Sequence, residues 1–215
     1  MTNLLLVRHG QSVSNAGLRT VRPHLTELTA IGEEQARLTA AVLPEPRLIA
    51  VSPYHRAQAT AQPFIERWPA VPCVEWPVQE FTFLDPSAWN GTTAIERRPA
   101  AAAYWQRADP GYAESAGAES FAMLLARADR VKRDALAFGD GPVVVFTHGL
   151  FSKIFIWRCT ERDAAATVEG MARAREFATS FRFPNCGIVR VRLGRDRTAF
   201  EPADTSHLPP ELMGD

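Results

Sequence analysis

The sequence predicts an α/β fold: a three-layer sandwich with a mostly parallel, doubly wound sheet, helices on both faces and an insertion over one edge. Short, continuously apolar runs recur along the 215 residues, as expected of strands buried on both faces. Most of these runs are followed by a loop and a segment with helical periodicity, which indicates alternating strands and helices. With 46% hydrophobic and 22% charged residues, the composition excludes a wholly disordered chain.

The first two strands and helices follow from local patterns. Residues 3–7 (NLLLV) predict the first strand, and Thr29 predicts the cap of the first helix because its hydroxyl can accept a backbone hydrogen bond. Residues 47–51 (RLIAV) predict the second strand, and the next helix is expected from about His55. Pro63 should end or kink that helix, since proline lacks the N–H that a helix interior requires.

The rest of the chain predicts three more strands and two helices. The clearest helix begins at Phe121, and Gly139 supplies its C-terminal cap. The remaining predicted elements are a weak strand at 73–76, a buried strand at 143–146, a helix from Leu150 and a last strand near 188–193.

Residues 80–118 differ from the alternating pattern. Three prolines and several aromatic residues predict short helices and loops rather than a strand–helix unit. Because insertions of this length in a compact domain are usually functional, we expect a lid over the active-site edge of one domain spanning 1–215. Tyr104 and Trp105 are predicted to form a small core rather than to stack on a substrate.

Charge and cysteine content exclude several partners. The chain has 24 basic and 24 acidic residues, so no basic excess indicates a nucleic-acid partner. Its three cysteines lie far apart and are interpreted as free thiols in a reducing compartment. No apolar stretch is long enough for a signal peptide or a bilayer span, so the sequence predicts a cytoplasmic protein without a membrane partner. The oligomeric state is left open.

Candidate functional residues follow the predicted strands. In doubly wound sheets, functional groups lie just beyond the carboxyl ends of the strands. Arg8 and His9 follow the first strand, Arg56 the second, Glu80 the third and His148 the fourth. Two arginines, two histidines and one carboxylate are therefore expected to converge at one edge of the sheet.

This set of side chains fits a phosphoryl group. Each guanidinium can hold two phosphate oxygens, and a histidine kept neutral among cations has a ring nitrogen free to attack phosphorus. The carboxylate can supply a proton to the leaving oxygen. No acidic cluster or HExxH pattern suggests a metal site, so no metal or other cofactor is predicted. The arginines and the second histidine would then stabilise the developing charge.

Several motifs in order resemble those of a known family. Residues 6–15 (LVRHGQSVSN) resemble the signature of the histidine phosphatase superfamily, the phosphoglycerate-mutase-like group. An Arg-His-Gly tripeptide recurs by chance, but six ordered matches along nearly the whole chain are specific. The further matches are 28–36 (LTAIGEEQA), 52–61 (SPYHRAQATA), 117–120 (GAES), 146–149 (FTHG) and 207–208 (HL).

The resemblance implies a role for each matching residue. His9 is implied to be the nucleophile that becomes phosphohistidine. Arg8, Arg56 and His148 are implied to clamp the phosphoryl oxygens, and Asn15 to be a further donor to them. The resemblance also implies the α/β fold that the strand pattern predicts independently.

The acid is the position where the sequence departs most from the family pattern. Glu80 matches the family's proton donor, which would also activate water in the second step, but its flanking residues are unusual, so Asp85 is an alternative. Gln11 stands where Glu is commoner, and Asn90 where many members have an acidic residue. The backbone N–H of Gly149, after the second histidine, is expected to complete the pocket.

Three functions remain open from the sequence. The first is metal-independent hydrolysis of a small-molecule phosphomonoester through phosphohistidine. The second is phosphoglycerate-mutase-type phosphoryl transfer, and the third is a catalytically silent phospho-ligand-binding protein. The segments that accompany glycolytic mutases are missing, which favours the phosphatase. His24, His55 and His207 are interpreted as surface or structural histidines.

Overall fold

The first strand, β1 (Thr2–Arg8), is buried on both faces in the computed structural model, which describes residues 1–139, 141–161 and 163–213. Leu4 and Leu6 belong to one hydrophobic core, and Leu5 and Val7 belong to a second core on the opposite face. Because successive side chains of a strand point to opposite faces, a strand between two helical layers must be apolar throughout.

The sheet is mixed and mostly parallel, which confirms the predicted fold class. Its order is β3-β2-β4-β1-β5-β6, in which the first four strands run parallel and the last two join antiparallel. The two-residue β6 is not predicted, because so short an edge strand leaves no alternation in the sequence. The strands after β1 are β2 (Leu48–Val51), β3 (Cys73–Glu75), β4 (Pro142–Thr147), β5 (Ile188–Leu193) and β6 (Ala199–Phe200).

Helices cover both faces of the sheet. The first two helices pack on the face of Leu5 and Val7, whereas the fourth, fifth and sixth pack on the other face. The sixth helix is not predicted from the sequence, although Thr167 caps it. The helices are α1 (Ala30–Val42), α2 (His55–Arg67), α3 (Ala94–Arg107), α4 (Phe121–Phe138), α5 (Gly149–Thr160) and α6 (Val168–Ser180).

Pro63 was predicted to end or kink α2, and the predicted end is wrong, since the helix continues to Arg67. An interior proline costs a helix roughly 3 kcal/mol, so tertiary contacts must offset that loss. Phe64, directly after the proline, is fully buried in the core between α2 and the sheet. Arg67 donates hydrogen bonds to the carbonyls of Ala40 and Ala41 at the end of α1, which holds the last turn in place.

Residues 80–118 contain one 14-residue helix, α3, instead of several short ones. Thr93 and Glu96 form a capping box at its start, which stabilises the helix. The prolines of this segment argue against a single long helix. Tyr104 is buried and its ring centroid lies 4.7 Å from that of Phe83 and 5.6 Å from that of Trp105. These contacts form the small aromatic core that the sequence predicts.

None of the helices in the described part of the chain combines the length and the hydrophobicity that crossing a membrane requires.

Candidate active site

His9 lies directly after β1 and presents one ring nitrogen without a proton. Its Nδ1 lies 2.7 Å from the carbonyl oxygen of Gly10, which can only accept, so Nδ1 carries the proton. Its Nε2 accepts a hydrogen bond of 3.0 Å from Nε of Arg56. The imidazole is therefore held as the neutral tautomer whose Nε2 lone pair points at the arginine side of the site.

A close backbone approach fixes the loop after His9. A Cβ on Gly10 would lie 2.4 Å from the carbonyl oxygen of Gly32 at the start of α1, so only glycine fits there. The N–H of Gly10 donates to Oγ1 of Thr60 on α2 at 3.0 Å. Helices α1 and α2 therefore hold the loop that orients the imidazole.

Electrostatics keep both histidines of the site neutral. Burial lowers the pKa of His9 well below its ordinary value, and the charges of Arg56 and Arg8 lower it further. Burial likewise lowers the pKa of His148 well below its ordinary value, again with Arg56 as the largest charge effect. An imidazole that stays unprotonated near neutral pH can act as a nucleophile or as a neutral donor.

The two arginines reach the site from different elements. Arg56, in the first turn of α2, is 8% exposed, and its Nη1 donates to the carbonyl of Pro23 at 2.6 Å. Burial lowers its pKa to about 10, while Glu80 opposes that shift. Arg8 ends β1 and donates from Nη1 to the carbonyl of Phe183 at 2.6 Å, whereas its buried Nε has no partner among the described residues.

His148 lies behind His9, with the two ring centroids 5.1 Å apart. Its Nε2 is 2.7 Å from Oγ of Ser52, which itself accepts the N–H of Tyr54 at 3.2 Å. Oγ of Ser52 can donate its proton to Nε2, and in that arrangement the ring proton of His148 is on Nδ1. That Nδ1 is buried and has no partner among the described residues.

Glu80 is held at the start of α5. Its Oε2 accepts the N–H of Leu150 at 3.1 Å, and its Oε1 accepts the N–H groups of Phe151 at 2.8 Å and Phe81 at 3.1 Å. The positive end of a helix favours a carboxylate at this position. Asp85 lines the same cleft and accepts the N–H of Ser87 at 2.8 Å, so the structure places both predicted acid candidates there.

Asn15 presents its NH₂ group rather than its oxygen as the free end. Its Oδ1 accepts hydrogen bonds from the N–H of Ser12 at 3.1 Å and from the hydroxyl of Ser12 at 2.8 Å. Gly149 begins α5, where a Cβ would lie 3.3 Å from Nε of Arg8. Asn15 lines the cleft, whereas Gly149 and His148 lie behind its wall.

The cleft over these residues has a volume of about 360 Å³. Besides the residues predicted from strand ends, its wall includes Tyr54, Arg97 and Arg98, which sequence reasoning missed as site residues. The two arginines belong to α3, in the segment predicted to lie over the active-site edge, but no motif identifies them as residues that line the cleft. Ser52 was also missed, although it directly follows β2, where functional groups are expected.

A comparison with protein-family models identifies the family of the chain. The family model described as histidine phosphatase superfamily (branch 1) matches residues 4–202. The chain belongs to the histidine phosphatase superfamily. A comparison with curated protein sequences gave no significant match.

Solved structures similar to this histidine phosphatase superfamily member cover nearly its whole length. A variant of phosphoserine phosphatase from Entamoeba histolytica, in complex with phosphoserine, is 21% identical with a TM-score of 0.73, covering 97% of this chain and 100% of the other. The alpha-ribazole phosphatase from Shigella flexneri is 21% identical with a TM-score of 0.71, covering 94% and 96%. Mycobacterial glucosyl-3-phosphoglycerate phosphatase is 26% identical with a TM-score of 0.71, covering 94% and 98%.

The lowered pKa values of this family member's buried histidines predict a specific loss of stability in acid. When the pH falls below 6.5, the ordinary pKa of histidine, His9 and His148 bind protons in the unfolded chain but stay unprotonated in the folded protein. Above about pH 6.5 these two histidines therefore do not change the free energy of unfolding. Below that pH, each lowers the free energy of unfolding by up to about 1.4 kcal/mol per pH unit. Urea unfolding between about pH 7 and about pH 5 should show a smaller pH dependence for His148→Gln than for the wild type. Equal pH dependence in both would contradict the buried neutral state.

Proposed function

We propose that this protein is a metal-independent phosphatase that hydrolyses a small-molecule phosphomonoester through a phosphohistidine on His9. One observation carries the proposal: the unprotonated Nε2 of His9 lies 3.0 Å from Nε of Arg56. Two buried nitrogen atoms of the predicted site residues, Nε of Arg8 and Nδ1 of His148, have no hydrogen-bond partner among the described residues.

The unpaired donors support an oxyanion as the ligand. A buried polar group without a hydrogen-bond partner costs roughly 1–3 kcal/mol, so the unpaired Nε of Arg8, a residue that lines the cleft, indicates a ligand there, whereas His148 lies behind the wall. The permanent charges of Arg8 and Arg56 favour a doubly charged anion, and guanidinium groups match the spacing of phosphoryl oxygens. Asn15 adds a neutral donor, since its Oδ1 is already occupied.

The reaction proceeds in two steps. Nε2 of His9 attacks phosphorus, the N–P bond forms, and the ester P–O bond breaks as the carboxyl group of Glu80 gives its proton to the leaving oxygen. Water then attacks phosphorus, Glu80 takes a proton from that water, and the N–P bond breaks to release inorganic phosphate. Arg8, Arg56 and His148 donate to the phosphoryl oxygens in both steps and stabilise their charge.

Hydrolysis and a small substrate are favoured over the alternatives. Three of the solved structures similar to this chain are those of phosphatases, named for phosphoserine, alpha-ribazole and glucosyl-3-phosphoglycerate. A cleft of about 360 Å³ suits a small molecule rather than a macromolecular surface. Residues 80–118 supply much of its wall, including Arg97 and Arg98, and we propose that they act as the lid that selects the leaving group.

Following inorganic phosphate during turnover of a panel of phosphorylated metabolites tests the proposal. We expect phosphate to appear in step with substrate loss, at the same rate with and without a chelator. Substrate loss with conserved ester phosphate would instead show a mutase. Binding of inorganic phosphate without turnover of any ester would show a phospho-ligand-binding protein.

Replacing Glu80 by Gln should slow the chemistry and leave substrate affinity nearly unchanged. The amide fills the same space but has one accepting oxygen in place of the two that bind backbone N–H groups, and it cannot give a proton to the leaving oxygen, so kcat should fall by about 10²- to 10⁴-fold. Asp85→Asn is the matched variant at the alternative position and should lower kcat by less than about tenfold. The reverse ranking in steady-state kinetics would assign the acid role to Asp85.

A further inference from the structure

A turn between α6 and β5 contacts the end of β1. The N–H of Cys186 donates to the carbonyl of Arg8 at 3.0 Å, and the N–H of Gly187 closes the turn by donating to the carbonyl of Pro184 at 3.0 Å. Within this turn Asn185 is 1% exposed. No motif in the sequence and no step of the proposed reaction involves it.

The side chain of Asn185 joins two groups of the candidate site. Its Nδ2 donates to the carbonyl oxygen of His9 at 2.9 Å and to Oδ1 of Asn15 at 3.3 Å. The first partner is the backbone of the proposed nucleophile. The second is the amide that presents its NH₂ group to the cleft.

The orientation of the Asn185 amide is fixed by chemistry. The carbonyl of His9 can only accept, and Oδ1 of Asn15 is defined as an acceptor by the N–H of Ser12 at 3.1 Å. Both contacts therefore require the NH₂ group of Asn185. As a result its own Oδ1 is buried without a partner among the described residues.

An orphaned buried oxygen lowers stability, so a residue selected only for packing would be apolar here. Asparagine instead supplies two donors to the candidate site, although its unpaired oxygen lowers the stability of the fold. Such a loss of stability is typical of positions that serve function. We propose that Asn185 is a positioning residue: it fixes the peptide that carries the His9 imidazole and holds Asn15 with its NH₂ group toward the phosphoryl group. This inference rests on the proposed phosphatase function.

Asn185→Leu separates positioning from packing. Leucine has the same number of side-chain heavy atoms as asparagine but neither the two donors nor the orphaned oxygen. We expect the melting temperature to stay equal or to rise, while kcat/KM falls roughly 10- to 100-fold because the reacting groups lose their alignment. The affinity for inorganic orthovanadate, an analogue of the pentacoordinate phosphorus, should fall by a similar factor. Asn3→Leu, at an exposed position of β1, is the control and should change neither activity nor orthovanadate affinity.

A double variant tests the connection to Asn15. If Asn185 acts partly through Asn15, the loss of kcat/KM in Asn15→Ala/Asn185→Leu should be smaller than the product of the two single losses. If leucine destabilises the fold, Asn185→Ala serves as a second variant. Its activity is measured at a temperature at which it is fully folded. Coupled losses in the folded variants support the proposal.

Three results would overturn the inference. These are kcat/KM within twofold of the wild type in either folded variant, activity lost only in proportion to the folded fraction, and independent effects at Asn15 and Asn185. Failure of the proposed function gives a different result, namely a wild type that hydrolyses no phosphomonoester. In that case the affinities for inorganic phosphate of the wild type and of Asn185→Leu decide the inference, and equal affinities reject it.

Discussion

His9→Ala should lower kcat for phosphomonoester hydrolysis by about 10⁵- to 10⁶-fold, the size of loss that follows removal of a covalent nucleophile. Alanine removes the Nε2 lone pair that accepts the hydrogen bond from Arg56. Arg8, Arg56 and Glu80 stay in place, so inorganic phosphate should still bind. The measurement is steady-state phosphate release, with phosphate affinity determined by calorimetry.

His55→Ala is the control for this variant. His55 lies one residue before Arg56 but is exposed at the start of α2, so its replacement should leave kcat within about twofold. A His9→Ala variant with wild-type turnover would exclude His9 as the nucleophile. Loss of turnover together with loss of phosphate binding would point to collapse of the site rather than to a missing nucleophile.

Replacing Arg56 should cause the second-largest loss, about 10²- to 10⁴-fold in kcat/KM for Arg56→Ala. The guanidinium contacts Nε2 of His9 through Nε and the carbonyl of Pro23 through Nη1, so its planar geometry fixes both the charge and its direction. Loss of one preorganised donor of this kind typically costs 10²- to 10³-fold, and loss of the charge adds to that. Arg56→Lys keeps the positive charge but loses the planar guanidinium group with its two parallel donors. Its activity should therefore be higher than that of Arg56→Ala but lower than that of the wild type.

The pH profile distinguishes the two Arg56 variants. The charge of Arg56 lowers the pKa of His9, so Arg56→Ala should raise that pKa and move the acid limb of kcat/KM to higher pH. Arg56→Lys should leave the limb nearly in place. Arg130→Lys, an exposed arginine of α4, is the control and should change neither rate nor profile. An acid limb that does not move in Arg56→Ala would contradict the electrostatic coupling of the two side chains.

Much of the fold could be predicted from the sequence because its physical causes are local. A strand buried between two helical layers must be apolar throughout, so residues 3–7 and 143–146 identify the central strands. The predicted end of α2 at Pro63 was wrong because the burial of Phe64 and the anchoring of Arg67 are tertiary effects. Short propensity rules contain no information about such contacts.

Some residues of the candidate site could likewise be predicted from the sequence, and others could not. Arg8, His9, Glu80 and His148 could be predicted because strand ends converge at one edge of a parallel sheet, and the structure brings them together. Ser52 and Asn185 were not predicted as site residues. Their importance depends on which atom of a distant side chain they contact, which neither periodicity nor motif spacing reveals.

Other missed residues depend on packing between elements. Arg97 and Arg98 line the cleft only because α3 packs over the sheet edge. Oγ of Ser14 lies 3.4 Å from Nη2 of Arg97, which connects α3 to the loop that follows the nucleophile. Tertiary structure is therefore required to find the wall of the cleft, whereas the groups proposed for the chemistry can be found from strand order.

The central claim is that His9 carries the phosphoryl group during turnover. Wild-type protein mixed with ³²P-labelled phosphomonoester and quenched in alkaline denaturant tests this claim most directly, because a phosphohistidine survives alkali and is lost in acid. We expect acid-labile label in the peptide that contains residue 9, and no label in His9→Ala. Turnover without any labelled peptide, or label on a different residue, would contradict it.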